Sequence, residues 1–279
     1  MSTINLRSSC ADSNHYVAII PALNEEACIG RVVAQLVALT RPDGSPTFVA
    51  VAVGDNGSTD RTCEVAALAG ALVGHASERG YGHGCMAAIA AAPPADVFVF
   101  VDGDDTTDYT QIESLLVAVE AGAELVIGHR VRRDVGSMSP AQVFGNALCC
   151  WLIRVLWGAN VRDLGPLRAM RVPTFRRLGM QAFTYGWTLE MQIKAFEQNR
   201  YIVELPVSTS ARPDGVSKVS PNWRTALRCG RVMLATIGTL WFTRSSRHSG
   251  RPSSRTLNPS FNVERTQSNQ FSTPLNKEI

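Results

Sequence analysis

Along the first half of the chain, short apolar runs alternate with longer segments whose apolar positions recur every three or four residues. "YVAII" (16–20) is the first run, and behind it Ile29, Val32, Val33, Leu36 and Val37 follow the spacing of one helix face. Asn24 stands where an N-cap would, with Glu25 and Glu26 in the first turn, the end of the helix dipole that favours acids. "FVAVAV" (48–53) leads into "GDNGSTD" and an alanine-rich helical stretch. "LVG" precedes "GYGHGCMAAIAAA", "VFVFV" (97–101) precedes "QIESLLVAVEAG", and "ELVIG" follows. Asn56-Gly57 is a common hairpin signal, but a helical pattern follows it here, so it marks a strand–turn–helix step. Strands and helices alternating in this way predict a parallel sheet with helices on both faces.

The second half adds two amphipathic patterns. Phe144, Leu148, Trp151 and Val155 form a helical stripe, broadened by Leu152, Ile153 and Trp157. Across 221–243, Ser220 can cap and Pro221 suits the first helical position. Trp223, Leu227, Leu234, Ile237 and Trp241 line one face there, with Arg224, Arg228 and Arg231 a quarter-turn away. Terminal tryptophans beside an arginine row are the pattern of a helix lying in a membrane interface; packing against the protein's own core or a second copy is the alternative. No apolar run reaches the roughly 18–20 residues needed to span a bilayer. Residues 1–15 carry no apolar signal segment and are expected to be a flexible N-terminus, followed by one domain over 16–243. The Ser-, Arg-, Asn- and Pro-rich 244–279 is expected to be a disordered tail.

Composition narrows the class. A chain that is 45% hydrophobic and 18% charged has ample core, and a net charge of +3 is too small to imply nucleic acid. Seven cysteines, scattered and without a CxxC pair, suggest neither a disulfide framework nor a zinc site, and fit a reducing cytosolic compartment.

Candidate chemistry follows from where polar residues fall. In open α/β sheets ligands bind beyond the carboxyl ends of the strands. Asn24 and Glu25 lie past the first expected strand, Asp55 past the second, and Asp102 and Asp104 past the fourth. In "FVFVDGDDTTD" (98–108) the carboxylates Asp102, Asp104, Asp105 and Asp108 crowd behind a buried run. Two carboxylates about 5 Å apart repel by roughly 1–3 kcal/mol, which a divalent cation would offset. Oxygen donors suit Mg2+ or Mn2+, which keep one or two protein carboxylates and bind substrate phosphates besides. An acidic surface loop with Asp108 or Thr107 capping the next helix is the alternative. "GYGHG" (80–84) is not a dinucleotide fingerprint, because Cys85 stands where a small third residue is needed.

Taken in order, "PALNEE", "DNGSTD", "ERGYGHG", "DGDD", "GHR", "DLGPLRA", "YGWTLEMQ" and "DGVSKVS" resemble the family 2 glycosyltransferases of GT-A fold over residues 16 to 240. The later elements most resemble the dolichyl- or polyprenyl-phosphate sugar synthases. The resemblance implies an α/β, Rossmann-like, mostly parallel sheet with helices on both faces, plus a C-terminal amphipathic helix. It also implies metal-dependent, inverting transfer of a hexose from GDP-mannose or UDP-glucose to polyprenyl or dolichyl phosphate. The enzyme would be peripheral on the cytosolic face of a membrane, with a second copy or a membrane subunit as further partners.

By the same resemblance Pro21, Ala22, Asn24, Glu25, Gly80 and Gly84 contact the nucleotide sugar, and Asp55 meets the base or ribose. Asn56 replaces the usual second acid. Asp102 and Asp104 match the metal-binding DxD, Asp104 the closer ligand, with Thr106 where a glutamine often stands. Arg130, Arg168, Arg212, Ser217 and Lys218 match groups that approach the acceptor phosphate, His129 replacing a serine beside Arg130. Asp104, Arg130 and Glu190 are the catalytic candidates. Alternatives stand beside these: Arg168 as an ion-pair partner of Asp163, Glu190 as a first-turn acid, and Tyr185 and Trp187 as core aromatics. A phosphate acceptor is already charged at neutral pH, its second pKa being near 6, and needs no general base. A soluble acceptor would want one, with Glu190 first. A non-catalytic nucleotide-sugar-binding subunit is a further alternative.

Overall fold

A computed structural model describes residues 14–132, 138–213 and 223–245. The apolar runs become β1 (Tyr16–Ala22), β2 (Phe48–Asp55), β3 (Leu72–His75), β4 (Val97–Phe100) and β5 (Leu125–Arg132). All residues of β1 and β4 are buried, as expected of strands covered on both faces. Two further strands, β6 (Arg168–Arg171) and β7 (Ile202–Thr209), complete one seven-stranded sheet of order β3-β2-β1-β4-β6-β5-β7. Among the described strands, only β6 runs antiparallel to its neighbours. Its sequence, "RAMR", has arginine at both ends and no apolar run. Pairing with β4 and β5, not local pattern, makes it a strand.

Eight α-helices are present among the described residues: α1 (Glu26–Val37), α2 (Thr62–Leu68), α3 (Tyr81–Ala91), α4 (Ile112–Glu120), α5 (Pro140–Trp157), α6 (Val172–Leu178), α7 (Trp187–Glu197) and α8 (Trp223–Ser245). The alternation of strand side chains sorts the core into two layers. Ala18, Ile20, Val99 and Val101 meet α1 and α4 on one face. Val17, Ile19, Phe98 and Phe100 meet α3, α6 and α7 on the other. α3 lies unusually close to the sheet: a Cβ on Gly54 would fall 1.8 Å from the Gly84 carbonyl oxygen.

Asn24 is not a helix cap. Its φ is 50°, the cap position belongs to Glu25, and its Oδ1 accepts from the Thr59 amide at 2.8 Å. It stitches the loop after β1 to the loop after β2. α5 starts as a helix should, with a Ser139–Gln142 capping box and Pro140 in the first turn. Cys149, Cys150, Ile153 and Trp157 face inward, forming a third cluster with Leu189 and Ile193 of α7 and Ile237 and Leu240 of α8. The expected stripe lies on the other side, where Phe144, Trp151 and Val155 are 69%, 56% and 59% exposed. α8 is split likewise. Ile237 is buried, and the Trp241 ring meets Trp157 edge-on at 5.4 Å, whereas Leu227, Leu234 and Phe242 are exposed. No described helix is long and apolar enough to cross a membrane. Of the expected flexible 1–15 and disordered 244–279, residues 1–13 and those beyond Ser245 lie outside the described residues, as does the Ser220–Pro221 cap, whereas Arg244 and Ser245 belong to α8.

Candidate active site

Parallel register brings the expected residues to one rim. Ala22 pairs with Asp55, and Ile19 with Phe100, so β1, β2 and β4 end close together. Pro21 and Ala22 are buried, and the Ala22 carbonyl accepts from the Asn56 amide at 2.8 Å. Burial raises the Asp55 carboxyl, but hydrogen bonds from Ser58, His75 and Cys63 outweigh it and hold the group below the ordinary carboxylate range. Asn56 Oδ1 accepts from the Gly80 amide at 2.7 Å, so the neutral side chain ties the β2 loop to the turn before α3. Gly84 is a packing glycine: a Cβ there would press on Pro21 and on the Gly54 oxygen. It is buried against the sheet.

The four crowded aspartates separate into two pairs. Asp105 turns to α1 and accepts from Arg31 Nε (3.1 Å) and Gln35 Nε2 (3.0 Å). Asp108 caps the turn at 109–111, accepting from the Thr110 amide. The remaining two share the crevice. Asp102 accepts from the Tyr81 hydroxyl at 2.9 Å, and Asp104 from the Thr106 hydroxyl at 2.8 Å. Burial first, and then the charge of Asp104, push the Asp102 carboxyl up to about 7, with Tyr81, Arg130 and Arg212 only partly relieving it. Two oxygen-donor side chains whose mutual repulsion the neighbouring arginines only partly relieve fit a hard divalent cation, which would be held by Asp102 and Asp104.

The basic residues fare differently from one another. The 106–108 loop pairs with the end of β7 through Ser210 N to Thr106 O (3.0 Å) and a Thr107–Thr209 bridge. This delivers Arg212, which donates to both Glu25 oxygens (3.0 and 2.8 Å) and to Asp104 Oδ2 (2.9 Å). Glu25 is therefore the buried anchor of an arginine. Arg130 is gripped by Asp163 through two parallel bonds of 2.8 and 2.7 Å, and its amide donates to the same carboxylate. Asp163 thus pairs with Arg130, not Arg168. Burial alone would raise its carboxyl, and the bonds and charge of Arg130 hold it low.

Two candidates are turned away from the crevice. Arg168 has no exposed surface and spends its guanidinium on the Gly165 and Thr188 carbonyls and on Gln192. Its desolvation lowers its pKa to about 10. In this arrangement it fastens the 163–167 loop to α7. Glu190 accepts from the Gln181 and Ala182 amides (2.8 and 2.6 Å) and pairs with Lys194 at 2.7 Å. Both oxygens are engaged, and this first-turn acid pins the 181–182 loop to α7. Trp187 is a core aromatic, packed on Phe100 and Phe175. Ser217 and Lys218 lie outside the described residues. Tyr81 and the Arg130–Asp163 pairing were missed in the sequence. The only hint of Tyr81 was a tyrosine set between glycines in "GYGHG".

A mostly parallel sheet of this order, with an acid pair at the end of its fourth strand, is the frame of a GT-A nucleotide-sugar transferase. Residues 17–176 match the glycosyl transferase family 2, and the chain belongs to that family and is a glycosyltransferase. An uncharacterized glycosyltransferase of Mycobacterium tuberculosis is 33% identical over 211 residues, 75% of this chain and 91% of that one. The dolichyl-phosphate hexose transferase of Haloferax volcanii is 31% identical over 204 residues, 73% and 86% of the two chains. Among solved structures, glucosyl-3-phosphoglycerate synthase from Mycobacterium tuberculosis shares the fold with a TM-score of 0.63 at 22% identity, covering 81% of each chain. That synthase has also been solved with Mn2+ and UDP-glucose.

Proposed function

We propose that the enzyme transfers a hexose, with inversion, from a nucleotide sugar to a polyprenyl or dolichyl phosphate at the cytosolic surface of a membrane. The observation that carries this reading is Arg130, a cation fixed bidentately by Asp163 and near enough to Asp102 for its charge to be felt there. A guanidinium held in one orientation beside the acid pair suits an acceptor phosphate brought up to the donor's anomeric carbon. The acceptor's phosphate oxygen forms the new C–O bond while the bond to the nucleoside diphosphate breaks, its electron pair leaving with the diphosphate. A cation such as Mg2+ or Mn2+, when bound by Asp102 and Asp104, supplies charge neutralisation for that leaving group. Asp55, Asn24 and the backbone of 21–22 are the donor's nucleoside side in this reading.

The engagement of Glu190 favours the same conclusion, because a soluble alcohol acceptor would need a base and the first candidate is occupied. The likeness to the dolichyl-phosphate hexose transferase supports it further. Membrane attachment falls to the exposed apolar residues of α5 and α8, with Arg224, Arg228 and Arg231 as exposed cations beside them. The test is incubation with GDP- and UDP-sugars against short polyprenyl phosphates and water-soluble acceptors such as 3-phosphoglycerate. Glycosylated polyprenyl phosphate is the expected product. Transfer to soluble acceptors alone would overturn the reading.

A further inference from the structure

At the outer end of the rim the structure gathers three side chains that the transfer reaction does not use together. β2 and β3 pair in parallel with Asp55 opposite His75, and Cys63 enters from the first turn of α2. His75 Nδ1 lies 3.5 Å from Asp55 Oδ2, and the ligand atoms of all three residues lie within 4.8 Å of one another. No spacing rule could show this, since the residues come from three elements.

The set differs in kind from Asp102 and Asp104. A thiolate, an imidazole and a carboxylate select zinc-class cations over Mg2+ or Mn2+. Three protein ligands leave one tetrahedral position open. β2 and β4 are separated by β1, so the two acid positions stand about 10 Å apart across the sheet, too far for one ion to serve both. The His75 side chain is 69% exposed, against 9% for Asp55. Its ring is free to swing the last ångström toward neighbour separations of about 3.5 Å, as bond lengths near 2.0–2.3 Å require.

We propose that Asp55, Cys63 and His75 bind a zinc-class divalent cation, and that its binding withdraws Asp55 from the donor's nucleoside and so inhibits donor binding. The inhibition rests on the donor role given to Asp55 above; the ion site does not. Cys63 binds as thiolate, releasing its proton to solvent as the metal–sulfur bond forms.

Cobalt(II) titration of the metal-stripped full chain tests the site. A thiolate-to-cobalt charge-transfer band should appear in the near ultraviolet, be displaced by Zn2+, and be absent from Cys63→Ser. No band in the wild type, or a band that persists in Cys63→Ser, overturns the proposal. UDP and GDP binding, measured with saturating Mn2+, tests the inhibition. Zinc at ten times its own Kd should weaken wild-type nucleotide affinity about tenfold, while Cys63→Ser binds nucleotide normally with or without zinc. A cobalt band of the expected kind with zinc-insensitive nucleotide binding would keep the ion site and overturn both the inhibition and the donor role of Asp55.

Discussion

Asp104 and Glu190 are both acids paired with a cation, one at the end of β4 and one in the first turn of α7. Asp104 meets Arg212 and Thr106 and keeps 18% of its side chain exposed. Glu190 meets Lys194 and two backbone amides and keeps 3%. An acid delivered by a strand end projects into the crevice, whereas a helix first-turn acid is drawn back by the amides of the chain that enters the helix. Two residues of like chemistry are thus divided, by the element that carries each, into one open to the crevice and one that fastens a loop.

Substitutions can break this comparison. Asp104→Asn should remove transfer and donor hydrolysis by about 10³-fold or more while leaving the fold intact. Wild-type turnover in this variant would remove the acid pair from the mechanism. Glu190→Ala should do the opposite, costing roughly 3 kcal/mol of stability because Lys194 is left buried without its partner. Chemical denaturation checks the loss, and the folded fraction should keep wild-type kcat. A kcat collapse at unchanged stability would return Glu190 to catalysis.

Asp163→Asn sharpens the picture on the acceptor side. Arg130 loses its charged grip, and acceptor use should fall by an amount worth roughly 1.5–3 kcal/mol, with donor affinity unchanged. The same pair predicts an acid response. The Asp163 carboxyl is held low in the folded protein, so its contribution to stability is complete above the ordinary aspartate pKa and is lost as pH falls through the lower folded value. Stability curves of wild type and Asp163→Asn should therefore converge in acid. Per residue, the smallest effect is at the surface. Replacing Arg224, Arg228 and Arg231 together with glutamine should weaken binding to anionic vesicles by about 1 kcal/mol per charge, with donor hydrolysis preserved. Sedimentation with vesicles at low and high salt measures it.

The parallel part of the sheet was legible because buried strands write continuous apolar runs, and the acid pair was legible because it sits directly behind one. β6 was not, since "RAMR" carries no local signal and is a strand only by virtue of β4 and β5. The side-chain pairings were illegible for a related reason. Arg130 and Asp163 are 33 positions apart, and Arg212 reaches Glu25 across 187. The motifs named the arginines, but the choice of Asp163 for Arg130 and the burial of Arg168 depend on how the 163–167 loop folds back over β5.

The reversed strand also governs the order in which the sheet can be assembled. As the chain is synthesised, β1 to β4 can pair among themselves once β4 has appeared, but the outer edge of β4 then lies open. Its partner, Arg168–Arg171, comes about seventy positions later, pairing Val97 with Arg171 and Phe100 with Arg168. β5 also waits, because its neighbours are β6 and the still later β7. An apolar edge uncovered for that interval is a site for pairing with another chain. Half-made chains of this protein should accordingly be prone to self-association, and four residues in the second half of the sequence close that window.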